Sequence, residues 1–280
     1  MPDTYCVMGH PIAHSRSPWI HARFAQLTGQ SLYYDRLLVP LDGLAQALHD
    51  FAAQGGKGCN ITVPFKFEAI QLAQHVSARA ALAQASNTLS WRADGLHADN
   101  TDGVGLVRDI ERNAGLALAD RDVLLLGAGG AAAGVLGPLL QARVRRLDVV
   151  NRTLSKAQVL VQRHSALASA QGVTLQALAL DSPQLGRYDL LINASTSSLA
   201  GAPVPVPAHV LRTGALALDM MYGPAAQGFL AWAQAEGAQA RDGLGMLVEQ
   251  AGEAFAIWRG VHPPCTQVLA ELREQLGHKT

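Results

Sequence analysis

The chain has 280 residues, 49% of them hydrophobic and 16% charged, so it can build a sizeable core and is not a disordered chain. Lys plus Arg equals Asp plus Glu at 22 each, a balance that points to no nucleic acid and no membrane as partner. The three cysteines, Cys6, Cys59 and Cys265, form no C-x-x-C pair, which fits reduced thiols and a cytoplasmic address. The first residues carry neither a basic region nor an apolar stretch, so no signal peptide is expected.

Tyr5 to Met8 reads as a strand ending at Gly9, followed by the donor-rich loop His10-Pro-Ile-Ala-His14-Ser15-Arg16-Ser17-Pro18. A helix is expected over 19–27, with Ser17 as its capping hydroxyl and Pro18 in the first turn. Two hydroxyls, Ser15 and Ser17, beside free helix amides make a carboxylate site, although capping alone would also explain Ser17. His10, His14 and His21 lack ligand spacing and a Cys or carboxylate companion, so no metal is expected.

A strand over 32–39 and a helix over 41–53 lead to Cys59-Asn60-Ile61-Thr62-Val63-Pro64-Phe65-Lys66. Asn60 and Thr62 alternate with apolar residues and would share one face, Pro64 stops the strand, and Lys66 emerges at the joint to a helix over 67–84. Ser86 to Trp91 is a further strand with a turn at Asp94-Gly95, and Asn100-Thr-Asp102-Gly begins a helix to about Asn113. The alternation predicts a mainly parallel α/β sheet.

Val123 to Ala142 has no charge and is long enough to suggest a membrane span, but its glycines argue otherwise. Val123–Leu126 reads as a buried strand, and Gly127-Ala128-Gly129-Gly130-Ala131-Ala132 fits the strand–turn–helix that binds a dinucleotide pyrophosphate on free helix amides. A glycine-rich turn in any buried α/β unit would look the same. The next strand, 146–150, ends in Asn151-Arg152-Thr153 with Lys156 close behind, and no carboxylate stands there for a ribose 2′-hydroxyl. A guanidinium at that point suits the 2′-phosphate of NADP, although a solvated Arg at a helix start is the plain alternative.

A helix over 154–164 and strands near 175–180, 188–193 and 215–219 follow, the last running into Met220-Met221-Tyr222. A helix over 229–235, a short strand at 238–240, a helix over 246–258 and a closing helix over 266–276 complete the chain. Gln250 shares a helical stripe with Met246, Leu247, Ala251, Ala254, Phe255 and Trp258, so it needs a polar partner, whether ligand, backbone or water. Lys66 and Asp102 are candidates for an acid/base pair in alcohol–ketone chemistry. From spacing alone they could equally be a surface lysine and an N-capping carboxylate.

Together, Gly9 to Pro18, Asn60 to Lys66, Ser86-Asn-Thr88, Asn100-Thr-Asp-Gly103, Gly127 to Ala131, Asn151-Arg-Thr153 and Gly243 to Gln250 resemble the shikimate dehydrogenase family along nearly the whole chain. The resemblance implies reversible NADPH-dependent reduction of 3-dehydroshikimate to shikimate in aromatic amino-acid biosynthesis. It also implies a Rossmann-type NADP-binding domain, 102–238, and a discontinuous α/β substrate domain, 1–101 with 239–280, with the active site in the cleft. By it, Lys66 and Asp102 are catalytic. Ser15 and Ser17 hold the substrate carboxylate. Thr62, Asn87, Asp102 and Gln250 bind ring hydroxyls, with Asn60 nearby and Tyr222 on the substrate side. Gly127, Ala128, Gly129, Gly130 and Ala131 form the pyrophosphate turn. Asn151, Arg152, Thr153 and Lys156 clamp the adenosine phosphate, and Met220 and Gly243 neighbour the nicotinamide. A monomer or homodimer is expected.

Three departures from the family pattern stand out: Ser195-Thr196 with a delayed glycine at Gly201, Gln227, and Ala78 before Arg79. Three alternative readings of the chain remain: an NAD-using quinate/shikimate dehydrogenase, which Arg152 opposes; a non-catalytic NADPH-binding sensor, which the Lys66–Asp102 pair opposes; and a folate-type dehydrogenase, which would leave the serine pair without a purpose.

Overall fold

The computed structural model describes residues 2–195, 198 and 201–277. It forms two compact units, Met1–Gly105 with Leu247–Thr280, and Leu106–Met246. The borders therefore fall at 105/106 and 246/247 instead of the expected 101/102 and 238/239. Residues 239–241 belong to the second unit because they pair as a strand with Leu216–Leu218. Gly105 stays with the first, because a Cβ placed on it would lie 2.6 Å from the Gln250 Cβ.

The first unit holds β1 (Asp3–Gly9), β2 (Leu32–Leu38), β3 (Gly56–Ile61), β4 (His75–Val76), β5 (Thr88–Arg92) and β6 (Gly95–Asp99) in the order β2-β1-β3-β5-β6-β4. β1 is parallel to β2 and β3, and β4 to β6, whereas β5 is antiparallel to β3 and to β6, so the sheet is mainly parallel, as expected, with one antiparallel strand set into it. The reversal from β5 to β6 comes from the Asp94-Gly95 turn. Gly95 sits at φ +130°, where a side chain is strained, and it folds the chain straight back as a hairpin. The returning strand β6 is short, with only Leu96 and Ala98 as apolar members, and its pattern does not announce it.

The single helix expected over 67–84 is broken into a helix Lys66–Ala69, a turn Ile70–Leu72, the strand β4 and a helix Ala78–Ala83. Local polar groups hold the break. The Gln74 side-chain carbonyl accepts the Leu96 N–H at 2.7 Å, and Ser77 Oγ accepts the Ala80 N–H at 3.2 Å as a cap. Ala78, one of the departures, only begins that helix; the neighbouring Arg79 finds its carboxylates in Asp99 at 2.6 Å and Glu253 at 3.1 Å. The helix at Ser17–Thr28 is capped differently from the expectation: Ser17 is its first residue and caps nothing, while Ser15 Oγ accepts the Ser17 N–H at 3.3 Å.

One face of this sheet buries Met8, Ile61, Phe65 and Leu89. The other carries an aromatic cluster in which the His21 ring stacks on Tyr34 at 4.2 Å between centroids, with Phe24, Phe255 and Trp258 around it.

The second unit contains β7 (Asp122–Leu126), β8 (Arg146–Val150), β9 (Thr174–Leu178), β10 (Tyr188–Asn193), β11 (Leu211–Asp219) and β12 (Gln239–Arg241) in the order β12-β11-β10-β7-β8-β9. Every pairing is parallel. The chain runs outward from β7 through β8 and β9, then returns to β10 and runs the other way. This is the doubly wound order, with its switch point between β7 and β10. Val123 to Leu126 are buried on both faces, as a central parallel strand requires. The uncharged run thus divides into β7 and a helix Gly130–Gln141, and no helix among the described residues is long and apolar enough to cross a membrane. The helix expected over 154–164 continues to Gln171, because buried His164 and Ala168 prolong its inner stripe until Gly172 ends it in the left-handed conformation.

Burial among the rings pushes the His21 imidazole down to about 3, from an ordinary value near 6.5. The folded state then binds fewer protons than the unfolded one. Stability contributed by neutral His21 is complete above about pH 6.5 and is lost as pH falls toward 3. Relative to wild type, His21→Leu is expected to gain about 2 kcal/mol between pH 7 and pH 5 in urea unfolding; a pH-independent difference would contradict this.

Candidate active site

In the first unit, Lys66 opens the short helix after Pro64 and Asp102 opens the helix Asp102–Arg108. The approach to β5 bridges the two joints, since Ser86 N–H donates to the Lys66 carbonyl at 2.9 Å and Asn87 N–H to the Asp99 carbonyl at 3.1 Å. Lys66 Nζ lies 2.5 Å from Asp102 Oδ2, with side-chain exposures of 15% and 6%. The other carboxylate oxygen, Oδ1, accepts Asn87 Nδ2 at 2.8 Å. Asn87 Nδ2 also reaches Gln250 Oε1 at 3.2 Å and Thr101 Oγ1 at 2.9 Å, and Asn87 Oδ1 accepts the Thr101 N–H at 2.8 Å. Gln250 is turned the other way by its amide, which donates to the Leu247 carbonyl at 2.8 Å.

This arrangement fixes one amine against one carboxylate and leaves the remaining ammonium protons for a ligand oxygen. An amine positioned in this way can give a proton to a carbonyl or take one from an alcohol. Four of the predicted residues, Lys66, Asp102, Asn87 and Gln250, form one hydrogen-bonded group. Asn60 stands behind them. Its Oδ1 accepts Tyr34 Oη–H at 2.8 Å, and its Nδ2 donates to the Asn87 carbonyl at 3.1 Å and to Thr88 Oγ1 at 3.2 Å.

Thr62 lies just past the end of β3, and its hydroxyl has no hydrogen-bond partner among the described residues. Its methyl packs on Gly9 so closely that a Cβ there would sit at 2.4 Å, which explains the glycine. The loop that follows Gly9 is tied down by His10 N–H to the Val63 carbonyl at 3.0 Å. Ser15 and Ser17 are both buried, and their hydroxyls lie 3.2 Å apart. Arg36, on β2, donates from Nε and Nη2 to the Ser15 carbonyl at 2.9 and 2.6 Å. Arg36, Thr101 and Thr88 escape the sequence analysis. Thr88 and Thr101 carry a signal, as polar side chains beside already suspect asparagines; Arg36 carries none, because only the β1–β2 pairing brings it to the loop.

In the second unit, Gly127 leaves β7 at φ +110°, and a Cβ on it would meet Ala194 and Ser195 backbone at 3.1 Å. A glycine is needed for that close approach. Gly129 precedes the helix that Gly130 opens, Ala131 follows within it, and buried Ala132 allows the helix to pack on the sheet. A cavity of about 510 Å³ lies over this turn, lined by Gly127, Ala128, Gly129, Asn151, Arg152, Thr153, Lys156 and Ser195 among others. All of these stand at the carboxyl ends of β7, β8 and β10, where such sheets take ligands. Arg152 and Lys156 are exposed cations there, and Asn151 Nδ2 is occupied with the Thr153 carbonyl at 2.9 Å. Free amides at a helix start, a side-chain-free turn and two cations fit a dinucleotide carrying an extra phosphate.

Met220 and Gly243 lie together but do not line that cavity. Gly243 N–H donates to the Met221 carbonyl at 2.8 Å, and a Cβ on Gly243 would fall 2.3 Å from the Met220 carbonyl oxygen. Tyr222 is half-buried, just beyond them in the same unit. Two residues that the sequence analysis passes over organise this end. Asp219 is fully buried, and its carboxylate accepts Ser198 Oγ–H at 2.5 Å, Asn193 Nδ2–H at 3.1 Å and the Met221 N–H at 2.9 Å; burial raises its carboxyl above the usual range. Asn193 Oδ1 in turn accepts the Ser195 N–H at 3.1 Å. Of the departures, Ser195 joins this network, Gln227 is an exposed first residue of the helix Gln227–Ala235, and Thr196 lies outside the described residues.

Three family models match the chain: the shikimate dehydrogenase substrate binding domain over residues 7–89, shikimate/quinate 5-dehydrogenase over 109–200, and the shikimate 5′-dehydrogenase C-terminal domain over 243–273. A shikimate dehydrogenase (NADP(+)) of Paracidovorax citrulli is 67% identical over 276 residues, covering 98% of each chain. Among solved structures, an Ael1 enzyme from Pseudomonas putida has a TM-score of 0.87 at 43% identity, covering 96% of this chain and 98% of that one. A shikimate 5-dehydrogenase from Thermus thermophilus, in complex with NADP(H) and shikimate, has a TM-score of 0.84 at 30% identity, covering 97% and 99%.

Because the obstacle at Gly243 is backbone, Gly243→Ala is expected to destabilise the protein by about 1–3 kcal/mol, the scale of overpacking. Urea unfolding checks this, and an unchanged midpoint would show that the Met220–Gly243 contact yields freely.

Proposed function

Because the chain belongs to the shikimate dehydrogenase family, we propose that it catalyses the reversible, NADP-dependent reduction of 3-dehydroshikimate to shikimate. The observation that carries the proposal is the Lys66 amine held 2.5 Å from the Asp102 carboxylate, within one network with Asn87 and Gln250. NADPH, when bound, supplies the hydride that reduces the ketone carbon. Lys66 gives a proton to the carbonyl oxygen as negative charge develops there, and in the oxidative direction it takes the hydroxyl proton. Asp102 holds the amine in place and accepts a substrate hydroxyl together with Asn87, Thr62 and Gln250. Asn60 supports Asn87 from behind. Ser15 and Ser17 take the substrate carboxylate, and Arg36 keeps their loop in position. Tyr222 serves the substrate side.

In the second unit, the amides from Ala128 to Ala131 would receive the pyrophosphate, with Gly127, whose N–H is given to the Val150 carbonyl at 2.7 Å, supplying the turn. Asn151, Arg152, Thr153 and Lys156 grip the adenosine end and its 2′-phosphate, while Met220 and Gly243 flank the nicotinamide. Shikimate and 3-dehydroshikimate are the small-molecule partners, and the enzyme acts in the cytoplasm as a monomer or homodimer.

The direct test is growth of the NADPH absorbance band with shikimate and each oxidised cofactor. Turnover with NADP+ well above that with NAD+ is expected, and no turnover with shikimate and NADP+ would overturn the proposal. Lys66→Ala is expected to lower kcat by about 10²–10⁴, the usual loss on removing a general acid/base, with a smaller change in KM for shikimate. A surviving kcat would remove Lys66 from the chemistry. Arg152→Ala is expected to raise KM for NADP+ selectively, because a lost guanidinium matters only where a phosphate faces it; equal losses with NAD+ would contradict the clamp.

A further inference from the structure

His75 and His97 are 22 positions apart in sequence, yet they are direct partners in the parallel pairing of β4 with β6. Side chains at paired positions of neighbouring strands emerge on the same face. The two imidazoles stack with centroids 4.4 Å apart and planes 22° apart. Both turn Nε2 toward one residue, Asp94, in the turn that leads into β6. His97 Nε2 lies 2.8 Å from Asp94 Oδ1, and His75 Nε2 lies 3.6 Å from Oδ2 and 3.1 Å from the Asp94 carbonyl. The donor atoms of the three residues all fall within 4.8 Å of one another.

We propose that His75, Asp94 and His97 bind a divalent transition-metal ion of the zinc class at the edge of the first unit's sheet. Two imidazole nitrogens and one carboxylate oxygen are a donor set for such an ion and a poor one for Mg²⁺ or Ca²⁺, which take oxygen. Tetrahedral zinc with bonds near 2.0–2.1 Å places its ligand atoms about 3.3 Å apart. The observed separations bracket that spacing, so small side-chain rotations admit the ion. Each imidazole then carries its proton on Nδ1 and presents the Nε2 lone pair, and water completes the fourth position.

The scaffold around the three donors is already fixed. Gln74 N–H donates to the Leu96 carbonyl and Ser77 N–H to the Ala98 carbonyl, each at 3.0 Å, which locks the two-residue strand on either side of His75. The ion would cross-link β4, the last and shortest strand of the sheet, to β6 and to the Asp94 turn. No ligand spacing in the sequence hints at this, because the juxtaposition depends on the break in the helix expected over 67–84.

The test uses the full chain, stripped with a chelator and titrated with Zn²⁺ by calorimetry, with Mg²⁺ as the control ion. The wild type is expected to bind one zinc equivalent that the His75→Gln/His97→Gln double variant lacks. Saturating zinc is expected to raise Tm by about 2–4 °C in the wild type only. Asp94→Asn keeps both imidazoles and removes the anionic ligand, so it is expected to weaken binding about tenfold or more. It decides the matter if the double variant fails to fold by circular dichroism. Unchanged zinc stoichiometry and Tm response in the folded variants, or no zinc binding by the wild type, overturns the proposal.

Discussion

The polar group of the first unit is organised around one ion pair. The Lys66 amine and the Asp102 carboxylate are largely withdrawn from water, and neither charge could be held there without the other. The carboxylate is satisfied on both oxygens, by Lys66 on one side and Asn87 on the other. That constraint propagates outward. Asn87 must present its amide to Asp102, so its carbonyl oxygen takes the Thr101 N–H, and Asn60 and Tyr34 hold its backbone from behind. Gly105 must lack a side chain so that Gln250 can come close. A mixed sheet is what delivers these groups, because the antiparallel β3–β5 pairing sets Asn60 directly opposite Thr88.

The second unit solves a different problem. On the proposed function, it has to present backbone N–H groups and cations to an anion without a wall of side chains in the way. Gly127 removes the wall at the β7 turn, and the parallel order puts the ends of β8 and β10 on either side of it. Asp219 then does for the far strand ends what Asp102 does in the first unit: one buried carboxylate collects Ser198, Asn193 and the Met221 amide, and so sets the backbone that carries Met220. The raised carboxyl of Asp219 is the cost of burial, opposed by those three hydrogen bonds.

What the sequence reveals follows the range of the forces involved. The glycine turn, the strand end at Asn151 and the joint at Lys66 are legible because their chemistry is local: a backbone conformation or a helix start is written in three to six adjacent residues. The break around β4, the reach of Arg36 to Ser15 and the stacking of His75 on His97 are not legible, because each depends on partners about 20 or more residues away. The Ser15–Ser17 pair shows both sides. Its hydroxyls stand together as expected, but the capping roles are exchanged, since one hydrogen bond to the Ser17 amide is available and Ser15 is placed to accept it.

The central claim is that Asp102 holds Lys66 as the proton carrier. Steady-state kcat of Asp102→Asn, with near-UV and far-UV circular dichroism to confirm the fold, tests it most directly. The substitution preserves shape but turns an acceptor of the ammonium into a neutral amide. The account predicts that kcat for shikimate oxidation by NADP+ falls about tenfold or more, while the protein stays folded. A folded Asp102→Asn protein with wild-type kcat would contradict it.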